Sequence, residues 1–389
     1  MKNFLIFGNH PMISLAEFQA LFLNKQGIFF GKNVFCTDLN DSYSLNSLID
    51  NLGGTIKIGE VISILDVNNQ KDVKKIIKKT VIEAAKKTEK KFNFGFSCYS
   101  DYNLDLKFGL EVKKELKKIN INSRLVTSKE KTLSSVIVSQ NKLLTNGLEI
   151  IIAGNSKEIL IGKTKVVQDF KGLSKRDYGR PKRDDYSGML PPKLARIMIN
   201  LAGPVDNNLL IMDPFCGSGT IINEALLAGY NKLIAGDISS KAISDSKENA
   251  LWLKNLYNLS NFDIRYINRS VLNLSKVIKK NSVDIVVTEP YLGPQRGLNN
   301  IKAVKEELEA LYSQSLNEFI NISTKNAKII MIWPVLDQKI FLEPNISGWE
   351  IISPLSKSYL NKKERKSLIY GRQEQRIWRE IVILAKKTN

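Results

Sequence analysis

The chain is poor in the residues on which several chemistries depend. Its 389 residues include three cysteines and one histidine. Cys36, Cys98 and Cys216 lie far apart, so neither a disulfide framework nor a cysteine metal-site spacing is present. His10 alone argues against a histidine base or a multi-histidine metal site. Acidic residues are also scarce: 39 Asp and Glu stand against 58 Lys and Arg, a net charge of +19. No apolar run approaches the roughly 18 residues that a membrane span needs. The apolar stretch in Met1–Gly8 is too short for a signal peptide. What remains is an ordinary globular composition, 43% apolar with 23 Gly and 11 Pro. The length calls for two or three domains. The expectation is a soluble cytoplasmic protein without a membrane segment, whose partner is a polyanion.

The positive charge is uneven. Residues 1–166 are net +9, 167–183 net +4, 184–356 net −1 and 357–389 net +7. A near-neutral block is thus flanked by basic segments. A single lysine-rich run such as Lys71–Lys91 reads as a solvated helix face. Three basic segments around one neutral block fit a nucleic-acid footprint better.

The order of elements divides the chain. Residues 1–166 alternate short strands and helices in an α+β pattern. Expected strands are Phe4–Phe7, Ile28–Phe35, Ile56–Leu65, Phe92–Cys98, Val136–Val138, Glu149–Ala153 and Glu158–Lys163. Expected helices are Ser14–Leu23, opened by a Ser14/Glu17 capping box, Asp72–Lys87 and Leu110–Lys118. Residues 167–190 are polar, basic and poor in core positions, and read as a basic linker. From Pro191 strands and helices alternate strictly, which calls for a parallel sheet covered on both faces.

Two motifs in the last part carry chemistry. Asp213-Pro214-Phe215-Cys216-Gly217-Ser218-Gly219-Thr220 follows an apolar strand and opens a helix, at the sheet edge where open α/β folds bind ligands. It is neither G-x-G-x-x-G nor a phosphate loop. An acid at the strand end repels a pyrophosphate and suits an ammonium group. Asp237 ends the next strand, in the place of a carboxylate that binds ribose hydroxyls. Amine, ribose and no phosphate describe S-adenosylmethionine better than NAD. The second motif, Thr288-Glu289-Pro290-Tyr291, ends the fourth strand at the same edge. Glu289 and the Pro290 carbonyl can accept the two N–H bonds of an exocyclic amine, while Tyr291 stacks on a flipped base.

These motifs, with Ser187-Gly188-Met189-Leu190-Pro191-Pro192-Lys193-Leu194-Ala195 before them, resemble the RNA amino-methyltransferases that carry an N-terminal THUMP domain. They most resemble the tRNA guanine-10 N2-methyltransferase family of archaea and eukaryotes. Upstream, Leu133-Ser134-Ser135-Val136 and Ile161-Gly162-Lys163-Thr164 look like the end of a THUMP domain. The resemblance implies a ferredoxin-like module over 1–54, a THUMP-like RNA-binding domain over 55–166, the basic linker over 167–190, and a Rossmann-like class I methyltransferase domain over 191–389. It implies methylation of a guanine N2 amine in tRNA, with Glu289, Pro290 and Tyr291 catalytic. S-adenosylmethionine is then held by Pro191, Lys193, Asp213, Phe215, Cys216, Gly217, Ser218, Gly219, Thr220, Asp237, Ile238, Asn268 and Ser270. A small activating subunit or a homodimer stays open as partner.

The sequence departs from the family at two points. Glu289 stands where the family tetrad has Asp, with Pro290, Tyr291 and Leu292 after it. The acid expected after the third strand is replaced by Asn268-Arg269-Ser270, so Asn268 or Ser270 is left to meet the adenine edge. Cys216 reads as a small packing residue, His10 as a surface or cap residue, and the four tryptophans as core. Arg180, Lys182 and Arg183 read equally as linker charges or phosphate contacts, and Arg372, Arg376 and Arg379 as solvated or RNA-facing. Two rivals remain: an RNA-binding protein with a vestigial methyltransferase domain, and a DNA or rRNA amino-methyltransferase.

Overall fold

The structure is a computed structural model that describes residues 2–23, 25–39, 44–99, 104–183, 189–294, 300–359 and 365–387. Two compact units emerge: residues 1–14 with 24–170, and residues 15–23 with 171–389.

The first unit is built on one mixed sheet. Its strands are β1 (Asn3–Phe7), β2 (Gly27–Phe30), β3 (Val34–Thr37), β4 (Thr55–Asp66), β5 (Phe92–Cys98), β6 (Ser123–Val126), β7 (Gly147–Gly154) and β8 (Glu158–Val167). They lie in the order β2-β3-β1-β4-β8-β7-β5-β6. The long β4 pairs with β1 on one side and β8 on the other. Its helices are α2 (Leu45–Asn51), α3 (Gln70–Lys86), α4 (Leu106–Lys118) and α5 (Ser135–Gln140), while α1 (Pro11–Leu21) starts here and has residues 15–21 in the second unit. Apolar residues of α3 (Val73, Ile77, Val81) and α4 (Phe108, Val112, Leu116) pack on Phe92, Phe94, Ile150 and Ile152 of the sheet. Each such side chain contributes about 1.5–3 kcal/mol by leaving water.

Three local elements differ from the expectation. Ile28–Phe35 is not one strand but a hairpin, β2–β3, turned at Gly31, whose φ is +69°. Val136–Val138 lies in helix α5, because the Ser134 side chain caps it by accepting from Ile137 N–H and outweighs the β-branched preference. Ser14 does not cap α1: the helix starts at Pro11 and the Ser14 hydroxyl donates to the Gly54 carbonyl at 3.0 Å. His10 holds the cap position instead, its carbonyl accepting from the Ile13 and Ser14 N–H groups at 3.1 Å.

In the second unit come α6 (Phe170–Tyr178), α7 (Pro192–Leu201), β9 (Ile211–Asp213), α8 (Thr220–Ala228), β10 (Lys232–Asp237), α9 (Ser240–Tyr257), β11 (Asp263–Asn268), β12 (Val283–Thr288), α10 (Ile301–Ile322), β13 (Ser323–Leu336), β14 (Ile340–Phe341), β15 (Trp349–Ile352), β16 (Leu368–Tyr370) and β17 (Ile377–Lys386). The main path runs β11-β10-β9-β12-β13-β17-β15. Strands β9 to β13 are parallel, and β17 runs antiparallel to its neighbours β13 and β15. Leu308, Tyr312, Leu316 and Phe319 of α10 pack on Met331 and Trp333 of β13 and on Val382 and Leu384 of β17. Trp333 and Trp349 are buried as expected, whereas Trp252 and Trp378 are only partly covered.

Successive strands travel outward from β9 through β10 to β11. The chain then returns to the other side of β9 to lay down β12 and β13. This reversal between β9 and β12 opens a crevice beyond their carboxyl ends. Both chemistry-bearing motifs follow these two strands.

The segment after residue 170 is anchored by polar bonds rather than by a hydrophobic core. Arg176 Nε donates to Glu224 at 2.6 Å, Arg196 Nε donates to the same carboxylate at 3.1 Å, and Lys182 N–H donates to Asn249 at 3.0 Å. Ser187 and Gly188 of the quoted motif lie outside the described residues.

Candidate active site

The loop after β9 is shaped by its glycines. Gly219 has φ +85° and caps α8. A Cβ there would meet Ser246 Oγ at 2.5 Å, so only glycine lets α9 approach. Gly217 has φ +49° and nothing within 4 Å of its missing Cβ, so its backbone borders open space. The Cys216 N–H donates to the Gly236 carbonyl at 2.8 Å, which ties this loop to the end of β10.

Two carboxylates frame the loop. Asp213 is 2% exposed and accepts from Thr288 Oγ1 at 2.7 Å and from the Phe215 N–H at 3.1 Å. Burial pushes its carboxyl up to about 7, against the pull of those two hydrogen bonds; the charges of Asp237 and Glu289 add to the rise. Asp237 accepts from the Gly217 N–H at 3.0 Å and the Ser239 N–H at 2.9 Å. Each of its oxygens thus holds one backbone group and keeps a lone pair for another donor. Beside it Ile238 is 74% exposed, an apolar surface at the crevice.

The remaining residues proposed from sequence take several places. Asn268 donates through Nδ2 to the carbonyls of Asp237 and Ile238, at 3.1 and 2.9 Å. Ser270 caps the short turn after β11. Pro191 caps α7 with its carbonyl, and Lys193 is exposed on the first turn. Phe215 packs on the α10 side of the core. The Ser218 carbonyl is held by Asn249 at 2.8 Å. The Thr220 hydroxyl accepts from Arg180 at 2.6 Å. Cys216 is buried, and burial first and the charges of Asp213 and Asp237 second push its thiol far up, which disfavours the thiolate.

Glu289 leaves β12 beside this loop. Its carboxylate is 11% exposed, as is Arg379 of β17, whose Nε donates to Glu289 Oε1 at 2.5 Å. Burial pushes the Glu289 carboxyl up and Arg379 pulls it back, with a net rise. Tyr291 is 52% exposed, and its carbonyl accepts from the buried Tyr312 hydroxyl at 2.8 Å. Thr288 Oγ1 therefore joins the two motifs directly through Asp213.

Two arginines differ from expectation. Arg180, weighed as a linker charge or a phosphate contact, is 4% exposed and bound to Thr220. Arg379, weighed as solvated or RNA-facing, is buried within β17 against Glu289. For Arg379 the Glu289 carboxylate compensates the lost hydration. Sequence reasoning also missed Thr288 and Tyr312 as supports. Only their spacing from the motif strands could have pointed to them, because their partners are remote in the chain.

The comparisons with known proteins agree with this geometry. Residues 180–339 match the family described as "RMKL-like, methyltransferase domain". The second unit has the fold of a Rossmann-like methyltransferase. The whole chain superposes on TrmN from Thermus thermophilus with a TM-score of 0.56 at 16% identity, covering 99% of this chain and 100% of that one. A putative methyltransferase, SMU.472, complexed with SAH, gives a TM-score of 0.51 at 12% identity, covering 100% and 99%. In sequence, the chain is 29% identical over 194 residues to the tRNA (guanine(10)-N2)-dimethyltransferase of Methanothermobacter thermautotrophicus. That match spans 50% of this chain and 52% of the relative, about half the length of each. No helix among the described residues is long and apolar enough to cross a membrane.

Proposed function

We propose that the protein is an S-adenosylmethionine-dependent methyltransferase that modifies the exocyclic N2 amine of a guanine in tRNA. The observation that carries this is the convergence of two loops at one switch point. A glycine loop framed by Asp213 and Asp237 lies against a Glu-Pro-Tyr turn, and the Thr288–Asp213 bond of 2.7 Å joins them. The guanine-10 relative supports the choice of base and of RNA.

The residues present fit the donor. Asp213 offers a carboxylate to an ammonium group, Asp237 offers lone pairs to two ribose hydroxyls, and exposed Ile238 offers a flat apolar contact to an adenine face. Gly217 leaves room for close backbone approach. When bound, S-adenosylmethionine supplies an electrophilic sulfonium methyl. Glu289 and the Pro290 carbonyl accept the two amine N–H bonds, which turns the nitrogen toward tetrahedral geometry and frees its lone pair. Tyr291 stacks on the base. After transfer Glu289 takes the proton of the methylated nitrogen and passes it to water.

Residues 1–166 are assigned to RNA docking, as a ferredoxin-like module over 1–54 and a THUMP-like domain over 55–166, followed by the basic segment 167–190. The net charge of +9 over 1–166 suits phosphate contact. The test is incubation with labelled donor and unmodified tRNA transcripts, followed by nucleoside analysis. Methylguanosine is expected. Glu289→Ala should abolish turnover while S-adenosylhomocysteine binding persists. Donor binding with no transfer to any RNA would favour the vestigial-domain alternative.

A further inference from the structure

The Glu289–Arg379 pair spans the edge of the sheet. Strand β13 lies between β12 and β17. It runs past the end of β12, where Thr288 is level with Met331, and its extension pairs with the start of β17, where Arg379 faces Pro334. Arg379 thus reaches the carboxylate from a separate strand, about 90 residues away in sequence. Its Nε uses one acceptor position, on Oε1, and among the described residues Oε2 accepts no hydrogen bond. A carboxylate has about four acceptor sites and no donor, so this group keeps acceptor capacity on both oxygens.

Two acceptors side by side match one base edge. Guanine presents N1–H and N2–H as adjacent, parallel donors. Adenine presents an amine N–H beside the N1 lone pair, which an acceptor-only group repels. We propose that Arg379 is a positioning residue that holds Glu289 as a two-pronged acceptor for the N1–H and N2–H edge of guanine, so that the pair selects guanine over adenine. The second N2–H is left for the Pro290 carbonyl. This rests on the methyl-transfer reading above.

The electrostatics point the same way. Burial raises the Glu289 carboxyl, and Arg379 opposes that rise. The other titratable groups in its field are Asp213 from β9 and Tyr312 from α10, both raised in part by the Glu289 charge. Without Arg379 the carboxyl would hold its proton to higher pH, and a protonated acid donates where guanine needs an acceptor. Arg379→Lys keeps the charge, whereas Arg379→Met removes it.

The test has two arms. In the first, the carboxyls of the free protein are 13C-labelled and titrated by NMR, with Glu289→Gln to assign the signal. In Arg379→Met the Glu289 midpoint should rise by at least about one pH unit, a tenfold change in proton affinity. It should stay near the wild-type value in Arg379→Lys. An unchanged midpoint in Arg379→Met overturns the role of Arg379, whatever the activity. In the second arm, tRNA transcripts carry 2-aminopurine at the nucleotide that the wild type methylates. This base keeps the N2 amine but lacks N1–H, and transfer should fall at least about tenfold, since a site built around a donor rejects the analogue that lacks it. Equal transfer to 2-aminopurine overturns the guanine-edge assignment. Arg379→Met should regain activity as pH rises, and Arg379→Lys should rescue it at neutral pH. A loss independent of pH, with S-adenosylhomocysteine still bound, would make the pair merely structural and overturn the proposal. No methyl transfer by the wild type to any transcript would instead overturn the functional reading, and the carboxyl titration would still decide the role of Arg379.

Discussion

The two glycines of the β9–α8 loop should respond in opposite ways to the same added methyl. Gly219 has φ +85°, and a Cβ there would lie 2.5 Å from Ser246 Oγ and 3.2 Å from Ser246 Cα. An L-residue pays about 1–2 kcal/mol for the left-handed backbone. Because the clash includes helix backbone, overpacking adds about 1–3 kcal/mol. Gly219→Ala should therefore lose roughly 2–5 kcal/mol in urea unfolding. Gly217 has φ +49° and nothing within 4 Å of the added atom. Gly217→Ala should lose only the backbone share, about 1–2 kcal/mol. The proposed function puts the donor in the open space beside Gly217, so the methyl should collide with ligand rather than protein. Calorimetry with S-adenosylhomocysteine should then show at least about a tenfold weaker affinity, equivalent to about 1.4 kcal/mol, in a protein that stays folded. Equal destabilisation by the two substitutions, or unchanged affinity in Gly217→Ala, would refute the placement of the ligand against this loop.

Other predictions follow from buried charges. The Asp213 carboxyl is raised from 3.8 to about 7, so its contribution to stability is full below its unfolded value and is lost as pH rises through about 7. A ligand ammonium group prefers the ionised form, so S-adenosylhomocysteine affinity should rise with pH to about 7 and then level off. Below that pH, binding should release a proton, seen by calorimetry in buffers of different ionisation enthalpy. Asp213→Asn should remove both effects, and a pH dependence that survives it would contradict the assignment. In the first unit, fully buried Glu149 accepts from Lys57 Nζ and Ser97 Oγ at 2.5 Å and from Thr164 Oγ1 at 2.6 Å. Glu149→Ala removes the charge partner of Lys57, which keeps only its bond to the Leu133 carbonyl at 2.6 Å, and should cost about 3–5 kcal/mol in chemical denaturation; a loss under about 1 kcal/mol would show that water or backbone replaces the carboxylate.

Much of the second unit was legible because its determinants are local. Alternating apolar strands and amphipathic helices mark a parallel sheet, and strands β9 to β13 form one. Asp213, Asp237 and Glu289 stand at or just after strand ends, and Gly217 and Gly219 in the loop that follows β9, so chain order alone places them at the carboxyl edge of the sheet. In the first unit the same reasoning erred where a local cue was outweighed. The Ser134 cap turned a β-branched run into α5, and Gly31 folded one apparent strand into a hairpin.

The sequence by itself determined which groups the site contains: two aspartates, a glycine loop and a Glu-Pro-Tyr turn, on a chain whose excess positive charge lies outside the neutral block. Only the tertiary structure decided how those groups are held. Thr288 reaches Asp213, Tyr312 fixes the Tyr291 carbonyl, Arg180 is drawn under α8, and Arg379 turns from a surface charge into the partner of Glu289. The physical reason is distance along the chain. Periodicity and turn chemistry act over a few residues, but a buried ion needs a partner wherever the fold brings one, and Arg379 of β17 reaches the residue after β12 only once β13 is laid down between the two strands.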